Sequence, residues 1–143
     1  MTLAWRTILA LGLACSLACG GDASTPTSTV VTTASVAGMW TSALRYGGVS
    51  YPFSLTLYQT RGVVTGMGII RDDGGTHVMG VSNSFVVGNN VTLAMDYTSG
   101  IGDAVRMTIT GSVTNSTTIV GMVFIVSPQP PPVNSAITLT KTG

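Results

Sequence analysis

Apolar and polar side chains alternate along most of the chain after residue 35. In Val91–Thr98 (VTLAMDYT) every second residue is apolar or aromatic, and the residues between them are mostly polar or small. The same period of two occurs in Tyr51–Arg61 and in the segment that begins at Val105. A period of two predicts β-strands that bury one face.

Turn sequences separate these alternating segments. Gly47-Gly48, Gly62, Asp72–Gly75 and Gly88–Asn90 are typical of turns, because glycine and asparagine tolerate a positive φ angle. The segments between turns predict eight strands: Val36–Tyr46, Tyr51–Arg61, Val63–Arg71, His77–Val87, Val91–Thr98, Val105–Thr114, Thr117–Val126 and Ser135–Thr142. Eight strands joined in this way favour an all-β fold, an eight-stranded antiparallel up-and-down barrel over residues 36–143. A β-sandwich with longer crossovers is the alternative.

Composition narrows the class of protein further. The chain has 22 threonines and 18 glycines but no glutamate, and 8% of its residues are charged. A chain so poor in helix formers is not a helical bundle. The net charge of +1 argues against nucleic-acid binding, which needs a basic face. A transmembrane barrel is disfavoured as well, because the expected outward faces carry Thr, Ser and Asp.

The first eighteen residues have the pattern of an export signal. Arg6 is followed by the apolar run Thr7–Ala18, which is too short to span a membrane as a helix and suits a signal-peptide core. The run ends in Leu17-Ala18-Cys19-Gly20, which resembles the lipobox of bacterial lipoproteins. In that family the cysteine is lipidated and the signal is cut just before it, although Ser16 stands where the lipobox prefers leucine. Cys15 is a second candidate, and an ordinary secretory signal is the alternative.

The lipobox resemblance implies a lipid anchor at Cys19 and a place in the cell envelope. Gly20 after the cysteine favours the outer membrane of a Gram-negative cell, with the protein facing the periplasm; an unlipidated chain would be secreted. Both cysteines precede residue 20, so a disulfide within the exported domain is not expected. Residues 19–35 are rich in Gly, Ser and Thr and predict a flexible tether between the signal, residues 1–18, and the barrel.

The first and last predicted strands carry a second resemblance. Gly38-Met39-Trp40 is similar to the Gly-x-Trp motif that opens calycin barrels, the superfamily of lipocalins, fatty-acid-binding proteins and avidins. There, a basic residue of the last strand packs across the tryptophan, and Lys141 has the position and the inward parity for that role. The resemblance implies that Gly38, Trp40 and Lys141 close one end of the barrel. The short hairpins are most similar to those of avidins, but the residues that contact biotin in avidins have no convincing counterparts here.

The inward face of the predicted barrel favours either a small apolar ligand or a solid core. Barrels of eight strands hold one small ligand or fill their interior with side chains. The candidate ligand-binding residues on this face are Trp40, Ser42, Tyr51, Phe53, Gln59, Met95, Tyr97 and Met107. With a solid core, the protein would instead be a structural or interaction lipoprotein of the envelope.

Few residues in the chain suggest catalysis. His77 follows Asp72 and Asp73 in the sequence RDDGGTH, which is typical of a hairpin turn. No spacing suits a zinc site, and no nucleophile elbow is present. We therefore expect a non-enzymatic protein with no metal and no cofactor; a hydrolase that uses His77 is the weakest hypothesis.

Two predicted strands are apolar on both faces. They are Val63–Arg71 and Thr117–Val126, the third and the seventh. Surplus apolar surface on an outer wall favours association. Because avidin-like barrels associate through their outer walls, we expect a homo-oligomer, or a partner protein of the envelope.

Overall fold

Eight antiparallel strands form a closed barrel in the computed structural model of this chain, which describes residues 32–128 and 132–143. Each strand pairs with the next along the chain, and the last pairs with the first. The predicted barrel is therefore confirmed, and the sandwich alternative is wrong. The strands are β1 (Gly38–Tyr46), β2 (Val49–Thr60), β3 (Val63–Asp72), β4 (Gly75–Val87), β5 (Asn90–Thr98), β6 (Ala104–Asn115), β7 (Thr118–Val126) and β8 (Val133–Lys141).

The inward side chains fill the middle of the barrel. Large apolar residues from all eight strands are buried there, which is how a barrel of this size is usually filled. The buried residues of β1, β2, β5 and β6 lie at alternating positions, as the period of two predicts; nine of them are Trp40, Leu44, Phe53, Leu55, Leu57, Leu93, Met95, Met107 and Ile109.

A bulge interrupts β4. Its pairing with β5 shifts between Ser82 and Phe85, and Asn83 has a φ of 49°. The bulge turns Ser84 inward, where its hydroxyl oxygen accepts a hydrogen bond from the Ala94 backbone at 2.8 Å. Because an extra residue reverses the parity of a strand, β4 shows the least regular alternation in the sequence.

Four inward-facing glycines allow the sheet to bend sharply. A Cβ atom at Gly66 or Gly68 would lie 2.2 or 2.3 Å from a backbone oxygen of β2. Gly111 and Gly121 pair with each other across β6 and β7, and a Cβ at Gly121 would lie 2.2 Å from the Thr110 oxygen. Since only glycine permits such close approach of two backbones, these positions set the bends of the barrel.

β1 and β8 close the barrel at one end only. The structure describes both strands over their whole length, and the backbone pairs between them are Trp40 with Lys141 and Thr41 with Thr140. Beyond these pairs the Ser42 hydroxyl donates to the Thr138 oxygen at 2.7 Å. The end of the barrel that contains Trp40 and Lys141 is called the closed end below, and the opposite end is called the mouth.

Residues before β1 cover the closed end. The Ala34 amide donates to the Gly88 oxygen at 2.8 Å, and the Val36 amide donates to Oε1 of Gln59 at 2.7 Å. Nε2 of Gln59 donates in turn to the Ala34 oxygen at 2.9 Å. Val36 was expected to begin the first strand; it instead lies before β1, fully buried against the core.

The N-terminal predictions lie outside the described residues. They are the signal over residues 1–18, lipidation at Cys19 and most of the tether. Over residues 32–128 and 132–143, no helix is long and apolar enough to cross a membrane.

Candidate functional site

A cavity of about 360 Å³ opens at the mouth. Its inner part is apolar, and its rim carries tyrosines, aspartates and small loop residues. It is called the mouth cavity below, and its described lining residues are Leu44, Tyr46, Tyr51, Ile70, Asp72, Asp73, Gly74, Tyr97, Ser99, Gly100, Ile101, Val105, Ile125, Ser127 and Val133.

The mouth cavity exists because β1 and β8 separate toward this end. Leu44 and Tyr46 of β1 and Val133 of β8 all line it, beyond the last backbone pairing of the two strands. The β3–β4 turn and the β5–β6 loop form the other side. Gly74 and Gly100 lie in close backbone contact there, since a Cβ on Gly74 would be 2.7 Å from the Gly100 Cα. Side chains at these two positions would push the loops apart.

Asp72 organises the polar side of the rim. Its Oδ1 accepts a hydrogen bond from the Gly74 amide at 2.8 Å, which fixes the turn, and lies 2.8 Å from Nε2 of His77. The His77 ring packs against Tyr97 with 5.9 Å between ring centroids. His77 is therefore held by two residues that line the mouth cavity, in agreement with its expected place beside a hairpin turn.

Two tyrosines of the rim face aspartates. The Tyr51 hydroxyl donates to Oδ2 of Asp73 at 3.3 Å. Burial, and then the charge of Asp73, raises the pKa of Tyr51, while burial and the charge of Asp72 raise the pKa of Tyr97. Both phenols therefore stay neutral at physiological pH and keep their hydroxyl groups as hydrogen-bond donors.

The structure separates the eight candidate ligand-binding residues. Tyr51 and Tyr97 line the mouth cavity. Ser42 bonds to β8, and Gln59 holds residues 34–36 at the closed end. The other four are packed in the core, at most 4% exposed: Trp40, Phe53, Met95 and Met107. Ser42 and Phe53 also border a second depression of about 260 Å³ beside β1–β3.

Gly38, Trp40 and Lys141 come together at the closed end. Nε1 of Trp40 donates to the Val36 oxygen at 2.8 Å, and Nζ of Lys141 lies 5.7 Å from the centroid of the Trp40 ring. Gly38 has a φ of 128°, and a Cβ there would lie 2.5 Å from Cε of Lys141. Glycine at position 38 thus leaves the room that Lys141 needs to cross the indole.

Sequence reasoning missed several lining residues of the mouth cavity, among them Ile70, Ile101 and Val133. Alternation gives no signal for them, because the cavity forms where β8 stays paired with β7 but separates from β1, a strand that is distant in sequence. No group of three or more His, Cys, Asp or Glu side chains that could hold a metal ion occurs in the described part of the chain.

Comparison of the chain with protein-family models, with curated proteins and with solved structures finds no match.

Proposed function

We propose that this protein is a non-enzymatic binding protein of the cell envelope, anchored by a lipid at Cys19, that holds one small and largely apolar molecule in the mouth cavity. The mouth cavity carries this proposal. Its volume of about 360 Å³ lies within the range of small-molecule sites, which combine an apolar wall with a few placed polar groups. The barrel core beneath is packed, so the ligand would sit on a rigid base rather than inside the barrel.

The point at which the N-terminal segment joins the barrel is consistent with an open mouth cavity. Residues 34–36 reach the barrel at the closed end, where they bond to Gln59 and Gly88. A tether that arrives there leaves the mouth on the far side of the barrel. If Cys19 is lipidated, the chain from the anchor joins the barrel at the end opposite the mouth cavity.

A bulky substitution at the rim tests the proposal. Val133→Trp would place an indole in the mouth cavity, whereas Val87→Trp makes the same change on the outer wall of β4, where Val87 is 63% exposed. Nile red, a neutral apolar dye, is titrated into the parent chain and both variants. We expect saturable fluorescence that Val133→Trp abolishes and Val87→Trp preserves. Equal dye binding in Val133→Trp and the parent would contradict the proposal.

A second role is supported by the outer wall. Four outward side chains of β7 are each 42–46% exposed and form one apolar row: Val120, Met122, Phe124 and Val126. Their paired neighbours on β6 and β8 are mostly small or uncharged, with one charged residue, Arg106, beside Val126. The uncharged neighbours are Thr108, Thr110, Ser112, Asn134, Ala136 and Thr138. This row favours self-association of the barrel, in line with the homo-oligomer expected from the sequence.

A further inference from the structure

Charge is segregated between the inside and the outside of the mouth. Asp72 and Asp73 line the mouth cavity, and no lysine or arginine is among its described lining residues. Arg45 and Arg71 lie at the same end, but they occupy the alternate, outward positions of β1 and β3 and are exposed. The mouth cavity therefore presents acidic groups, while the nearby basic groups face the solvent.

Arg106 also lies outside the mouth cavity, with its basic group on the outer wall. Its Nε lies 2.8 Å from Oδ1 of Asp96, and both side chains are exposed. Asp96 is thus paired, and it lies outside the mouth cavity. On the inner side, the imidazole of His77 lies 2.8 Å from Oδ1 of Asp72 and packs against Tyr97. Asp73 is left with a neutral partner, the Tyr51 hydroxyl.

Three tyrosines stand beside these aspartates. Tyr46, Tyr51 and Tyr97 all line the mouth cavity. They stand on β1, β2 and β5, at the end of the barrel where Asp72 and Asp73 lie. Aromatic faces attract organic cations, and the attraction grows when the cation loses water.

The inner wall of the mouth cavity is apolar and favours a hydrocarbon group in the ligand. Leu44, Ile70 and Val105 are at most 6% exposed and form an apolar floor, with Ile125 beside them. A ligand that fills about 360 Å³ must place a hydrocarbon group on this floor and its polar group at the rim.

We propose that the mouth cavity binds a small organic cation, an amine or a quaternary ammonium group that carries a hydrocarbon part. The hydrocarbon part contacts the floor, the charged nitrogen lies among the three tyrosines, and Asp73 supplies the opposite charge. This inference rests on the proposed function and names the class of its ligand.

Three probes that share a benzene ring test the ligand class. They are phenyltrimethylammonium, its neutral carbon isostere tert-butylbenzene, and benzoate. Each is titrated into the isotopically labelled chain of residues 1–143, and binding is followed by nuclear magnetic resonance at the amides of Tyr97, Ser99 and Ile101. We expect phenyltrimethylammonium to bind about tenfold more tightly than tert-butylbenzene, and benzoate to cause no shift.

Matched variants locate the charge that matters. Asp73→Asn and Asp96→Asn each remove one negative charge, the first in the mouth cavity and the second on the outer wall. We expect Asp73→Asn to weaken phenyltrimethylammonium binding about three- to tenfold and Asp96→Asn to change it by less than about twofold. Equal effects of the two variants would show that only overall charge matters and would overturn the inference.

The outcomes separate this inference from the proposed function. If tert-butylbenzene shifts the same amides and binds as tightly as the cation, the mouth cavity is a small-molecule site but not one for cations. If none of the three probes shifts these amides, both proposals fail together.

Discussion

At the scale of single residues, two contacts of Trp40 hold the closed end together. Its indole N–H donates a hydrogen bond to the Val36 carbonyl, and Nζ of Lys141 lies over its ring. The first contact ties the segment before β1 to the barrel, and the second ties β1 to the end of β8. One buried side chain thus joins three parts of the chain that are distant in sequence.

A double-mutant cycle measures the second contact. Lys141→Met keeps most of the side-chain volume but removes the cation, so we expect the free energy of unfolding to fall by about 0.5–1 kcal/mol. In a Trp40→Leu background, itself destabilised by several kcal/mol, the same change is expected to have almost no effect. Urea unfolding gives all four values. Equal costs of Lys141→Met in both backgrounds would show that the lysine does not act through the indole.

Ionisation of Tyr97 at the rim makes the free energy of unfolding depend on pH in the alkaline range. Burial and the charge of Asp72 raise the pKa of Tyr97 above its ordinary value of 10.0. The folded state then holds the phenolic proton more tightly than the unfolded state does. This contribution to stability is complete below pH 10 and disappears as the pH rises through the folded-state pKa.

Tyr97→Phe tests this linkage. The variant keeps the ring against His77 but cannot ionise, so its free energy of unfolding is expected to fall less than that of the parent between about pH 9 and about pH 11. Urea unfolding at the two pH values measures the difference. An identical fall in parent and variant would contradict the linkage.

At the scale of elements, the bends of the barrel depend on glycines that the sequence places inside strands. Gly111 and Gly121 face each other across β6 and β7, and each would meet backbone atoms if it carried a Cβ. Gly80 offers a matched comparison, because it also lies in a strand but has open space where a Cβ would stand.

Gly121→Ala is therefore expected to destabilise the fold, whereas Gly80→Ala is not. Separating two paired backbones by the width of a methyl group strains the sheet by about 1–3 kcal/mol or more. At Gly80 the loss of chain entropy in the unfolded state makes alanine neutral or slightly stabilising. Thermal unfolding of both variants decides the point: an unchanged melting temperature for Gly121→Ala would mean that the bend does not need glycine.

The sequence predicts these elements well and the site only in part, for a physical reason. Alternation in β5 and β6 reports which side chains are buried, because burial of one face acts on every second residue. It fails where the bulge at Asn83 reverses the parity of β4. The mouth cavity depends on how far β1 and β8 stay paired, and that register arises from the closure of the whole barrel rather than from any local pattern.

At the scale of the whole molecule, the apolar row on β7 predicts that the protein associates with copies of itself. Phe124 lies near the middle of the apolar row on β7 and is 46% exposed. We expect the parent chain to show more than the monomer mass by light scattering at tens of micromolar. Phe124→Lys should lower that mass to the monomer, whereas Thr98→Lys, which adds the same charge at the exposed end of β5, should not. A monomeric parent would contradict self-association through β7.

The central claim is that the mouth cavity holds a small molecule, and native mass spectrometry of the gently purified chain tests it most directly. The account predicts an added mass of a few hundred daltons, as suits a ligand of a cavity of this size, that is lost on denaturation and is missing from Val133→Trp. The same added mass on Val133→Trp, or a parent that neither retains nor takes up any small molecule, would contradict it.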